Sequence, residues 1–134
     1  MISPENQIYG LLANALRESF PGIFVVSEYL PAPAKFPCVS IEEKENATYR
    51  RTQSTGHMEN HALVGYEINI YSNKTTGKKS QVKAIAELVD DVMMSLGFDR
   101  SMMTTVPNYA DATIYRMTLR YRAVVDKNNV IYRV

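Results

Sequence analysis

From Val64 to Tyr71 apolar and polar positions alternate. Val64, Tyr66, Ile68 and Ile70 fall on one face and Gly65, Glu67, Asn69 and Tyr71 on the other, the pattern of a half-buried strand, because successive strand side chains point to opposite sides. The run 72–77 breaks the alternation. Over 80–96 the period changes: Val82, Ile85, Ala86, Val89, Val92, Met93 and Leu96 follow the i, i+3, i+4, i+7 spacing of an amphipathic helix, and Gly97 suits the left-handed position that ends one.

The remaining elements follow from the same reasoning. Ser3 is a suitable N-cap, Pro4 fits a first helical position, and Ile8, Leu11, Leu12, Ala15 and Leu16 form a stripe toward Phe20, predicting a helix over 4–19 that Pro21-Gly22 stops. Residues 23–29 are β-branched and aromatic and predict a short strand before the Pro31-Ala32-Pro33 turn. Over 37–44, Val39, Ile41 and Glu43 alternate with Cys38, Ser40 and Glu42 as a second strand, and the alternating run ending at Tyr71 is the third. A fourth strand over 98–106 carries Met102, Met103 and Val106 up to the Pro107-Asn108 turn. Over 112–125, Tyr115, Met117, Leu119, Tyr121, Ala123 and Val125 face one way, and Arg116, Thr118, Arg120 and Arg122 the other. Asp126-Lys127-Asn128-Asn129 reads as a turn, after which 130–134 pairs back. The order α-β-β-β-α-β-β-β predicts an α+β fold, with an antiparallel or mixed sheet and two helices packed on one face.

At 134 residues the chain has the size of one domain, spanning 1–134. Its 15 Lys plus Arg against 14 Asp plus Glu give no overall electrostatic case for a nucleic-acid or membrane-surface binder, so any basic surface is local. The single cysteine, Cys38, excludes an internal disulfide and a multi-cysteine metal site and fits folding in a reducing cytoplasm. The start MISPENQ lacks a basic segment followed by an apolar one, and no window approaches ~20 apolar residues, so neither a signal peptide nor a membrane span is expected.

Apparent chemical motifs dissolve on inspection. Gly77-Lys78-Lys79-Ser80 looks like part of a phosphate-binding loop, but the pattern needs a glycine where this chain has Ser72. His57 and His61, with Glu59 between them, make a metal face only on a helix, and this polar stretch containing Gly56 is not helical in pattern. Cys38 lies on a strand without a His or acidic partner nearby in sequence. The sequons Asn46-Ala47-Thr48 and Asn73-Lys74-Thr75 carry no meaning without secretion. No catalytic residue, metal ligand or cofactor is expected.

Three polar features are left. The run 45–60 is long for a loop in a compact domain and reads as a projecting segment. It is either a hairpin tip or an arm that orders against a neighbouring subunit through Tyr49, Arg50 and Arg51. The long helix carries Lys78, Lys79 and Lys83 early and Glu87, Asp90 and Asp91 late, opposite to what the helix dipole favours. An intrahelical Lys83–Glu87 pair contributes only ~0.2–0.5 kcal/mol, so alternating charges between subunits are the rival explanation. Arg116, Arg120 and Arg122, with Arg133 on the terminal strand, either solvate the outer sheet face, form a subunit interface or line a channel for a polyanion.

Several segments taken together carry a family likeness. They are Phe36-Pro37-Cys38-Val39-Ser40, Asn60-His61, Tyr66-Glu67-Ile68-Asn69-Ile70-Tyr71-Ser72-Asn73, the Gly77-Lys78-Lys79 turn, Asp90-Asp91, Leu96-Gly97-Phe98, and Ala112-Thr113-Ile114-Tyr115-Arg116 with Arg120-Tyr121-Arg122. Over roughly 36–134 the chain resembles the tail terminator or tail completion proteins of long-tailed bacteriophages and prophages, especially those of Gram-positive hosts. These signatures are strands and turns, so no catalytic residue transfers. The resemblance implies a virion structural subunit, made in the host cytoplasm, that forms a hexameric ring on the head-proximal end of the tail tube. Such a ring stops tube polymerisation and presents a docking face to the head connector or head-completion protein, with genome DNA passing through it. Other readings are a head-completion subunit, a tail-tube subunit, a phage assembly chaperone, or a small nuclease or hydrolase, which would need acidic or histidine groups converging in the fold.

Overall fold

The structure, a computed structural model, describes residues 1–49, 60–108 and 111–132. Helix α1 (Glu5–Ser19) is followed by β1 (Phe24–Val26), β2 (Cys38–Thr48), β3 (His61–Ser72), α2 (Lys78–Leu96), β4 (Asp99–Thr105), β5 (Tyr115–Asp126) and β6 (Ile131–Tyr132). The strands form one mixed sheet in the order β1-β2-β3-β5-β4. β1 runs parallel to β2 and every other pairing is antiparallel. β6 pairs with Val124 and Val125 of β5, beyond the stretch that β4 covers. The expected α+β architecture and element order are both present.

The sheet register stacks the core in rows. Val39, Ile70 and Met117 align across β2, β3 and β5, as do Ile41, Ile68 and Leu119, followed by Tyr66 beside Tyr121 and Val64 beside Ala123. Both helices cover this face. Ile8, Leu12, Ala13 and Leu16 of α1 and Val82, Ile85, Ala86, Val89 and Met93 of α2 join these rows in one buried cluster. Each fully buried Val, Leu or Ile contributes about 1.5–3 kcal/mol relative to exposure, and this drive holds the layers together.

Local details differ from expectation in instructive ways. Ser3 does not cap α1: the helix begins at Glu5 without a side-chain cap, and Pro4 O accepts the Ile8 N–H at 3.0 Å. The buried stripe follows Ile8, Leu12 and Leu16 with Ala13 beside it, so Leu11 falls outside and is 45% exposed. β1 is shorter than 23–29. β2 runs past residue 44: after an irregularity between Glu43 and Glu45, residues Glu45, Asn46, Ala47 and Thr48 pair with Gly65, Val64, Leu63 and Ala62. The first part of the expected polar loop 45–60 is thus a strand without apolar alternation of its own, paired to a β3 segment that buries Ala62 and Val64. Tyr49 N–H extends it by donating to His61 O at 2.8 Å. Residues 50–59, with Arg50, Arg51 and His57, lie outside the described residues, as does Arg133.

The end of α2 follows the expected chemistry. Gly97 sits at φ +105°, its N–H donates to Met94 O at 3.1 Å, and Phe98 N–H donates to Met93 O at 3.0 Å. These two bonds are those of a Schellman motif, with buried Phe98 beyond the glycine and buried Met93 before it. The turn after β5 is also as expected: Asp126 Oδ1 accepts the N–H groups of Asn128 and Val130.

Candidate assembly surface

The face of the sheet away from the helices is built from the polar phase of the same strands. Its rows are Cys38–Tyr71–Arg116, Ser40–Asn69–Thr118, Glu42–Glu67–Arg120 and Glu45–Gly65–Arg122, each running from β2 through β3 to β5. The half-buried expectation for β3 fails here. Glu67, Asn69 and Tyr71 are buried as well, because β3 is central and the face carries its own cover. Cys38, Tyr71 and Ile114 make a second small core with Phe24, Val26 and Phe36 packed on it. The Arg116 guanidinium lies 5.1 Å from the Tyr29 ring centroid and 5.8 Å from that of Tyr71.

The three arginines of β5 are tied into this face. Arg116 Nε donates to Asn69 Oδ1 at 3.0 Å, which also accepts the Thr118 hydroxyl at 2.7 Å. Asn69 Nδ2 donates onward to Glu67 Oε2 at 3.3 Å. Arg120 donates from Nε and Nη2 to Glu67 Oε1 at 3.0 and 2.9 Å. Arg122 has no side chain opposite it on Gly65 and reaches across to Glu45 Oε1 at 3.6 Å on β2. A Cβ on Gly65 would meet Glu45 Cβ at 3.2 Å and Glu45 Oε1 at 3.5 Å, so the glycine leaves room for that crossing. The result is a groove of about 640 Å³ over Gly65, walled by Glu45, Glu67, Arg120 and Arg122. The sequence singled out the arginines but not Glu45, Glu67 and Asn69, which hold them; only the pairing register brings them together.

The helix charges divide. Asp90 accepts the Tyr121 hydroxyl at 2.8 Å and sits 3.2 Å from Arg100, so it is engaged within the subunit. Lys78 donates to Thr113 O at 3.0 Å. Lys79, Lys83, Glu87 and Asp91 remain exposed at four-residue steps and form one stripe along the outer side of α2. Tyr49 is partly buried at the outer end of the β2–β3 hairpin.

The buried thiol and phenols of the fold are held neutral. Burial pushes the Cys38 thiol up to about 11, which suits a packing residue and not a nucleophile. Burial likewise raises Tyr71 to about 12. Tyr66 and Tyr121 are raised further, first by burial and then by the carboxylates of Glu43 and Asp90 that accept their hydroxyls. His61 packs edge-on against Tyr132 at 5.8 Å. Among the described residues no group of three His, Cys, Asp or Glu is placed to hold a metal ion, and no helix is long and apolar enough to cross a membrane. The strand carboxylates Glu42, Glu45 and Glu67 each have a Lys or Arg within 3.6 Å.

The sheet thus has one face packed under helices and the other bearing paired charges. The chain belongs to the family described as Tail completion protein gp17, whose model matches residues 6–126. It is thereby a structural protein of a phage-type tail. A solved structure titled "Virion of native gene transfer agent (GTA) particle" contains a chain of the same fold, 18% identical, with a TM-score of 0.61 over 88% of this chain and 93% of that one. No curated protein matches the chain significantly.

Proposed function

We propose that the protein caps the head-proximal end of a tail tube as a homohexameric ring, stops tube polymerisation and offers the surface on which the head docks. The observation that carries this reading is membership of a tail completion family over nearly the whole chain. The fold supports it by supplying charged surfaces on α2 and on the polar face of the sheet. The partners are then other copies of the chain, the tail-tube protein and a head-completion or connector protein, with DNA passing through the channel. The protein works as a non-enzymatic part of the virion after assembly in the host cytoplasm.

Within this proposal the charged residues take different parts. Arg116 and Arg120 are bound to Asn69 and Glu67, so they act as the frame of the sheet face and not as a free cationic stripe for DNA. Lys79, Lys83, Glu87 and Asp91 of α2 are exposed to neighbours, as are the outer parts of the paired Arg120, Arg122 and Glu45. Tyr49, Arg50 and Arg51 keep their assignment as arm contacts, and Arg133 its assignment to an interface or channel stripe. Deleting the gene in the phage or prophage tests the reading: tails should reach abnormal lengths and fail to join heads. Tails of normal length on filled heads would refute it.

A further inference from the structure

Building on the ring reading, we propose that subunits join head to tail, with the exposed charge stripe of α2 from one copy lying across the polar sheet face of the next. The two surfaces are on opposite layers of the domain: the helices cover one face of the sheet, and the groove over Gly65 opens on the other. One copy therefore uses both surfaces at once, as a closed ring with a heterologous interface requires.

Charge order and spacing match. Along α2 the stripe reads Lys79, Lys83, Glu87, Asp91, basic in its first half and acidic in its second. The midpoints of the two halves are eight residues apart, about 12 Å along a helix. Across the sheet face, β2 carries Glu42 and Glu45, and β5 carries Arg120 and Arg122. These strands are separated only by β3, so they lie two strand spacings apart, roughly 10 Å. A helix laid across the strands puts Lys79 and Lys83 over the acidic side and Glu87 and Asp91 over the basic side. Turning it end for end sets like charges together, so the pattern fixes one direction around the ring. Lys44 lies on the acidic side but is 3.4 Å from Glu42 and leaves Glu45 to face the incoming lysines.

The intrasubunit pairs leave these groups available. The side chains of Arg120, Arg122 and Glu45 are 57%, 47% and 48% exposed. Gly65 keeps the floor between them low. This docking also accounts for a charge order on α2 that its own dipole disfavours.

The test uses two variants of the full chain, Glu87→Lys with Asp91→Lys on the helix and Arg122→Glu on the sheet. Native mass spectrometry and sedimentation, with and without tail tubes, read assembly, and circular dichroism confirms folding. Each variant alone should need about tenfold or more protein to assemble than wild type. An equimolar mixture should recover hexamers with equal numbers of both chains, because each ring then alternates one repaired interface with one native interface. Arg122→Gln, which removes charge without reversing it, should give an intermediate defect and stands in if Arg122→Glu does not fold. Folded variants that each assemble like wild type, or a mixture without rescue, would overturn this interface while leaving the ring reading in place. Wild-type protein that stays monomeric even with tubes would overturn the ring itself.

Discussion

Arg120→Met separates the internal role of this arginine from any role at an interface. The substitution keeps most of the aliphatic bulk but removes the two N–H donors that hold Glu67 Oε1 at 3.0 and 2.9 Å. Glu67 is then left with the 3.3 Å contact from Asn69 as its remaining described hydrogen bond. Removing one partner of a fully buried ion pair costs about 3–5 kcal/mol, and an exposed pair contributes about 0–1 kcal/mol. Here the carboxylate side chain is 10% exposed and the guanidinium side chain 57%, so solvent screens one end and the cost falls between these limits, at about 2 kcal/mol. For a chain of this size that corresponds to a drop in Tm of roughly 6–8 °C. Adding Glu67→Gln to Arg120→Met removes the stranded charge and should return more than half of the loss, which thermal and urea unfolding of the four proteins in the cycle would measure. An Arg120→Met protein that melts within about 1 °C of wild type would refute the claim that Arg120 frames the sheet face.

Other consequences follow from single positions. Val89 is fully buried on α2 within the core cluster, so Val89→Asp should cost at least about 3 kcal/mol; a wild-type melting curve would mean that the facing of the helix is wrong. Gly97→Ala forces a side chain to φ +105° and brings its Cβ to 3.2 Å from Ile131 Cγ2, so urea titration should register a loss of at least about 1–2 kcal/mol. Tyr66, Tyr71 and Tyr121 all have pKa values raised above 10.0 in the folded chain. Stability from keeping them neutral is complete below pH 10.0 and is lost as the pH rises toward their raised values, so of the nine tyrosines the exposed ones, such as Tyr29, should ionise in the folded chain and these three only with alkaline unfolding; titration of all nine in a still-folded protein near pH 10.0 would contradict their burial.

Alternation made β3 and β5 readable, and 3.6-residue periodicity made α2 readable, because one face of each is apolar and a one-residue slip would expose it. Gly97 was readable for a different reason: the left-handed position after a helix selects glycine locally. The pairing of Arg120 with Glu67 was not readable, since these residues are 53 apart and meet only through the register of β3 with β5. The same holds for Arg122 and Glu45, whose contact further depends on an empty place at Gly65. The outer end of β2 lacked a hydrophobic signal because its side chains 44–47 are exposed and polar or small, and it is held by backbone pairing and polar side-chain contacts such as Asn46 Nδ2 to Ile2 O. Leu11 illustrates the reverse error, an apolar residue at helical spacing that packing leaves outside the core.

Imaging of the purified full-length chain mixed with tail tubes tests the central claim most directly. The account predicts a six-fold ring seated on one end of each tube, the head-proximal end, and tubes that no longer elongate when fresh tube protein is added. Bare tube ends, or capped tubes that continue to grow, would contradict it.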